Sequence, residues 1–314
     1  MKIGIVGPGA MGCLLAGMMA RAGLEVMLLD HRPDRADHIR RRGLRLETGL
    51  GEIQVPLAVT LEPLDLSGVD LVLICVKAYD TEVVARRLRA LDPPPYFLTL
   101  QNGVGNVELL GTCLPREKVL AGITSHGATA LGPGWVRHAG SGDTLVGSGF
   151  AEEFGNQDPG VQMAQQCLSS AGFETRTVPR INPLIWSKLL VNVGINALTA
   201  LTRLRNGDLL SLSVTEQILE EAVAEALRVA RAKGIELIYD DPLGQVKKVC
   251  RSTAPNLSSM LQDVLKEKRT EIDFINGTIV REAEKLRIPV PVNALLTRLV
   301  QALEHSYSLR VNSF

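Results

Sequence analysis

The stretch KIGIVGPGAMG, residues 2 to 12, decides the fold. KIGIV (2–6) is a short apolar run of β-forming residues, and GPGAMG (7–12) follows it without a spacer. LLAGMMARAG (14–23) then reads as a helix closed by Gly23, and EVMLLD (25–30) as a second strand. Strand, glycine loop, helix and strand in that order are the setting in which G-x-G-x-x-G carries a physical meaning. Gly7 permits the tight turn, Gly9 lets backbone approach a pyrophosphate, and Gly12 lets the helix pack close to the strand. The N-terminus of the helix offers unpaired N–H groups and partial positive charge to phosphates. Gly7, Pro8, Gly9, Ala10, Met11 and Gly12 are therefore assigned to a dinucleotide.

The second strand ends in Asp30, followed by His31 and Arg32. An acid there grips the adenosine ribose hydroxyls and favours NAD, whereas a nearby arginine suits the 2′-phosphate of NADP. Both signals are present, and the residues leave the choice open. The basic run Arg32, Arg35, Arg40, Arg41 and Arg42 reads as a solvated helix face, apart from Arg32. VDLVLICVKAYD (69–80) and YFLTLQNGVGN (96–106) each hold a further strand, ending near Lys77 and Asn102. Ligands of open α/β sheets lie beyond the carboxyl ends of the strands, so both residues are candidates for cofactor or substrate contact.

From 119 to 148 turn residues separate short runs that read as antiparallel strands added to the sheet. His126 and His138 lie there without metal-ligand spacing and read as structural. A helix at 162–172 and a strand at 173–178 complete the first half, and VPRINP (178–183) marks the join. Beyond it, strand signals stop. Helical periodicity runs through 184–201, 213–233, 242–251, 256–287 and 293–305, with Gly234 and IPVP (288–291) as terminators. The expected plan is a Rossmann-type α/β dinucleotide-binding domain over 1–178 followed by an all-helical substrate-binding domain over 179–314.

Composition narrows the class. Lys plus Arg and Asp plus Glu number 34 each, which points away from nucleic acid or an anionic membrane as partner. Five scattered cysteines, never paired as CxxC, fit reduced thiols in a cytoplasmic protein. No secretory or membrane-spanning segment is read from the sequence.

In the helical half, LIWSKLLVNVGIN (184–196) is mostly apolar, yet Lys188, Asn192 and Asn196 interrupt it at intervals of four. On a helix these three side chains share one face. An ammonium and two amides in register on an apolar helix read either as one wall of an active site, or as a solvated face or amides satisfied by backbone inside a core.

GPGAMG, VKAYD, QNGVGN, ITSHGAT, WSKLLVNVGINALTAL and NLSSMLQDVLKEKRTEIDFINGTIV resemble, in that order, the ketopantoate reductases, 2-dehydropantoate 2-reductases, from Met1 to about residue 300. The resemblance implies reduction of the ketone of 2-dehydropantoate to (R)-pantoate with NADPH, on the route to pantothenate and coenzyme A. It implies that Lys188 is the catalytic lysine and that Glu271 is an acid near the substrate. Asn192, Asn196, Asn256 and Ser259 would face the substrate, and Lys77 and Asn102 would bracket the nicotinamide end. The family often has a basic residue where this chain has Asp30-His31-Arg32, so NADP is implied while NAD stays open through Asp30. A related 2-oxo acid or opine-type dehydrogenase would keep the lysine and change the substrate. A nicotinamide-binding sensor without turnover would lose the polar residues, and every matched position here holds a chemically competent type. The partner is a small 2-oxo acid, and a homodimer through an apolar helical face stays open.

Overall fold

A computed structural model describes residues 1–49, 51–154 and 158–310. The chain divides into two compact units, one of residues 1–101 with 106–181, the other of 102–105 with 182–314.

The first unit is built on an eight-stranded sheet. Its strands are β1 (Lys2–Val6), β2 (Glu25–Leu29), β5 (Ala58–Thr60), β6 (Leu71–Ile74), β7 (Tyr96–Thr99), β8 (Val119–Thr124), β11 (Thr144–Ser148) and β12 (Thr175–Thr177). In space they run β12-β11-β8-β7-β6-β1-β2-β5. β5 to β8 form a parallel block, with Ile3 opposite both Val26 and Leu71. The chain leaves β1 in one direction through β2 and β5, then returns to the other side of β1 through β6, β7 and β8. Order therefore reverses between β1 and β6, beside the glycine loop, where doubly wound sheets bind their ligands. β11 pairs antiparallel with β8 and closes this edge with β12. The central strands β1, β6 and β7 are almost wholly apolar and buried, as suits a parallel sheet covered on both faces.

A second, four-stranded sheet contains β3 (Leu44–Thr48), β4 (Gly51–Val55), β9 (Gly127–Gly132) and β10 (Trp135–Gly140), in the order β4-β3-β10-β9. The 119–148 segment is thus divided between two sheets rather than added to one. β3 pairs parallel with β10 across a long stretch of sequence, a pairing that local patterns do not encode. This sheet lies against α1 (Ala10–Arg21), where a Cβ on Gly17 would stand 2.6 Å from Leu46. The other helices of this unit are α2 (Pro33–Arg42), α3 (Thr81–Leu88), α4 (Asn106–Cys113), α5 (Ala151–Phe154) and α6 (Pro159–Ser170). Asp158 caps α6 by accepting from the Gly160 amide at 2.8 Å.

The second unit is helical, with α7 (Asn182–Thr202), α8 (Ser213–Ala232), α9 (Pro242–Ser252), α10 (Ser259–Leu265), α11 (Asn276–Leu286) and α12 (Pro291–His305). α7 is long and apolar enough to cross a membrane by length and composition, but 67% of its most apolar window is buried inside the unit. It is the core helix. At Gly194 a Cβ would come within 2.9 Å of both Val223 and Val246, so glycine lets α8 and α9 pack close to α7. A polar link runs through this core. Glu225 accepts from the Val292 and Asn293 amides and caps α12, and Asn293 accepts from Asn276, which also donates to the Val193 carbonyl.

The helix expected over 256–287 is broken into α10, a 3-10 turn at Ile272–Phe274, and α11. α10 ends because Glu267 takes a left-handed conformation, φ +51°. The Glu267 amide then donates to Val264 O and the Lys268 amide to Asp263 O, the paired bonds of a Schellman stop. Gly234 stops α8 by the same geometry. Only the glycine advertises it in the sequence.

Candidate active site

The glycine loop can be read atom by atom. Gly7 has φ +99°, and a Cβ there would lie 2.7–2.9 Å from Val76 and Cys75. A Cβ on Gly12 would lie 2.0 Å from the Gly7 carbonyl. Both glycines are demanded by packing. Gly9 is not: its φ of −75° is open to any residue, and a Cβ would meet only Cys75 O at 4.0 Å. It is exposed, and it is the N-cap of α1 without a side-chain cap or an acid in the first turn. Room beside a bare helix N-terminus is what a pyrophosphate needs. These residues fit a dinucleotide.

At the end of β2, Asp30 is 1% exposed. The His31 and Arg32 amides donate to its Oδ1 at 2.7 and 3.0 Å. Arg35 forks onto it, Nη2 to Oδ1 at 2.6 Å and Nε to Oδ2 at 2.7 Å. Burial pushes the Asp30 carboxyl up, but these bonds and the Arg35 charge outweigh it and hold the group below its ordinary range. Arg35, expected on a solvated face, is instead the ion-pair partner, because its place in the first turn of α2 lets it reach back to the strand end. Arg32 stands outside, bonded to Asp34 at 2.6 Å, and the His31 side chain is 70% exposed.

Lys77 is partly buried and follows β6. His126 and His138, read as structural, meet with Nδ1 3.0 Å from Nε2, and His126 stands edge-on to Phe173. All five cysteines are free, and no group of three potential metal ligands occurs among the described residues.

In the helical unit, α7 runs unbroken through Lys188, Asn192 and Asn196, so the three do share a face. Lys188 is partly buried, and burial pulls its ammonium down to about 8 against the opposing charge of Glu271. Glu271, set in the charged run KEKRTEID, is only 6% exposed. The turn before α11 holds it: Phe274 N donates to Glu271 O, Ile272 N to Thr270 Oγ1, and Thr270 N to Glu304. The Nδ2 donors of Asn192 and Asn196 are buried with no hydrogen-bond partner among the described residues. Buried amide donors are almost always paired, so two orphans in line with a lysine mark a place for an acceptor-bearing ligand.

Asn102 belongs to this unit, not to the sheet that precedes it. The Val104 amide donates to Phe274 O at 3.1 Å, and Thr278 Oγ1 donates to Val104 O at 3.4 Å. Asn256 is exposed and lies in the turn before α10, its carbonyl accepting from Asn206 N. Ser259 is exposed in the first turn of α10. Its neighbour Ser258, which sequence reasoning passed over, is the buried cap: it accepts from Leu261 N and lies 2.6 Å from Thr199 Oγ1. Thr199 falls one residue short of the next step in the 188-192-196 stripe and bonds back to Asn196 O. Its apolar surroundings gave no signal.

Comparison with known proteins adds the following. Residues 3–149 match the family model described as ketopantoate reductase PanE/ApbA, and residues 180–304 match its C-terminal counterpart. A 2-dehydropantoate 2-reductase of Halobacterium salinarum is 38% identical over 302 residues, 96% of this chain and 98% of its own length. The crystal structure of a PanE/ApbA family ketopantoate reductase from Ralstonia eutropha is 36% identical with a TM-score of 0.89, covering 98% of this chain and 99% of that one. D-mandelate dehydrogenase with NADH and anilino(oxo)acetate is 29% identical with a TM-score of 0.87, covering 98% of this chain and 99% of that one.

Proposed function

The chain belongs to the ketopantoate reductase family, and we propose that it reduces 2-dehydropantoate to (R)-pantoate, with Lys188 as general acid and NADPH as reductant. The observation that carries this reading is the α7 stripe: an ammonium brought down to about 8 in line with two buried amide donors that no group among the described residues satisfies.

When bound, the nicotinamide would supply the hydride; Gly7 to Gly12 and the α1 N-terminus would hold the phosphates, and His31 and Arg32 would meet the adenosine end. As negative charge grows on the ketone oxygen, the Lys188 ammonium stabilises it and delivers the proton. Burial tunes that proton toward working pH, and the Glu271 charge keeps enough of the lysine protonated to act as acid. Asn192 and Asn196 donate to substrate oxygens without adding charge beside a carboxylate. Asn102, Asn256 and Ser259 supply further polar contacts, and Lys77 a cation for the nicotinamide end.

The test is loss of NADPH absorbance with ketopantoate as acceptor. Lys188→Ala is expected to lower kcat by about 10²- to 10⁴-fold, the usual worth of a positioned acid. A variant that keeps wild-type kcat removes Lys188 from the chemistry. A second reading, a 2-hydroxy acid dehydrogenase for aryl substrates, is favoured by the likeness to D-mandelate dehydrogenase. If kcat/KM for phenylglyoxylate exceeds that for ketopantoate, the substrate assignment changes and the mechanism stays.

A further inference from the structure

Asp30 follows β2 directly, where an NAD-binding sheet keeps an acid free for the ribose hydroxyls. Here that acid is spent. Three donors converge on its Oδ1, the amides of His31 and Arg32 and the Nη2 of Arg35, and the Arg35 Nε donates to its Oδ2. Its side chain has no exposed surface, while that of Arg35 keeps 20%. A 2′-hydroxyl arriving at this edge finds no accessible acceptor on Asp30. A 2′-phosphate finds no repulsion either, because the guanidinium fork neutralises the carboxylate across two short charged bonds.

The basic side chains beside the pair are available in a way that Arg35 is not. The Arg32 side chain is 54% exposed and tied to Asp34, itself 67% exposed. Such a solvated pair is weak and exchanges readily for a phosphate. His31 is exposed beside it.

We propose that Arg35 sets the cofactor preference of this chain by occupying Asp30, so that the ribose edge admits the 2′-phosphate of NADPH and disfavours NADH. Arg35 is a positioning residue acting through Asp30. The inference rests on the nicotinamide-cofactor reading above and is independent of which 2-oxo acid is reduced.

The experiment is calorimetric titration of the purified protein, without substrate, with NADPH, NADH, 2′,5′-ADP and 5′-AMP. Wild type is expected to bind NADPH and 2′,5′-ADP more tightly than NADH and 5′-AMP. Arg35→Ala frees Asp30 and is expected to lower the NADPH-to-NADH affinity ratio by about tenfold or more, the factor for losing one charged contact of ordinary strength. Asp30→Asn combined with Arg35→Ala removes the freed charge and is expected to recover most of the NADPH affinity. The double variant, together with Arg35→Lys, carries the test if Arg35→Ala does not fold with a buried carboxylate left unpaired. An unchanged ratio in the folded variants, or a wild type that prefers NADH, overturns the proposal. Binding of neither dinucleotide overturns this proposal and the cofactor reading together. Cofactor binding without ketopantoate turnover sinks only the substrate.

Discussion

At the scale of single residues, Lys188 makes the sharpest prediction. Its proton leaves near pH 8 rather than 10.5 because burial disfavours the charge. Ketone reduction needs the ammonium, so kcat/KM in that direction should be flat below about 8 and fall about tenfold per unit above it. Alcohol oxidation needs the free amine and should rise through the same range. Profiles measured in both directions check this, and a reduction rate that holds constant to about pH 10 removes the lysine as acid. Stability carries the opposite sign. Between about 8 and 10.5 the unfolded chain binds this proton and the folded chain does not, so this group makes the fold more stable as pH rises. Much of the candidate site was legible at this scale, because an ammonium and two amides at intervals of four are conspicuous on an apolar helix. The partner of Asp30 was not legible. Arg32 and Arg35 are equally basic, and only the first turn of α2 decides which of them reaches the strand end.

At the scale of elements, the glycine loop was readable because Gly7 and Gly12 answer steric demands and Gly9 leaves room beside the bare N-terminus of α1. Gly12→Ala puts a methyl 2.0 Å from the Gly7 carbonyl, where backbone has to move. We expect a loss of about 1–3 kcal/mol of stability, typical of overpacking. We also expect the disappearance of cofactor stabilisation, worth about 2.7 kcal/mol at 100 times Kd. Thermal melts with and without NADPH measure both, and a variant that keeps the full cofactor shift contradicts the loop's role. The 256–287 segment shows the opposite case. Its residues are good helix formers, so periodicity runs straight through the break, and the stop depends on Glu267 adopting a conformation usually left to glycine. Glu271 owes its burial to that break, since the turn following α10 carries it inward from a run of surface charges.

At the scale of the whole molecule, Asn102–Gly105 leaves the α/β unit and joins the helical one. Gly103 makes this packing feasible: φ is +86°, and a Cβ would sit 2.4 Å from Phe274 O. Gly103→Ala should cost about 1–3 kcal/mol through strain and overpacking, and should lower turnover by displacing Asn102. Gly105, at φ +109° with open space around it, serves as the control. Urea unfolding of Gly103→Ala and Gly105→Ala compares them, and equal losses would mean that the Phe274 contact contributes nothing. The sequence by itself determined the dinucleotide loop, the order of an α/β half and a helical half, the polar stripe on α7 and the family. These depend on local sterics and on side-chain periods of two and 3.6, which neighbouring residues express among themselves. Tertiary structure alone decided the β3–β10 pairing, the transfer of Asn102–Gly105 to the helical unit, the burial of Glu271 and the choice of Arg35 for Asp30. Each of these joins groups whose meeting depends on where the rest of the chain has packed, and no local pattern carries that information.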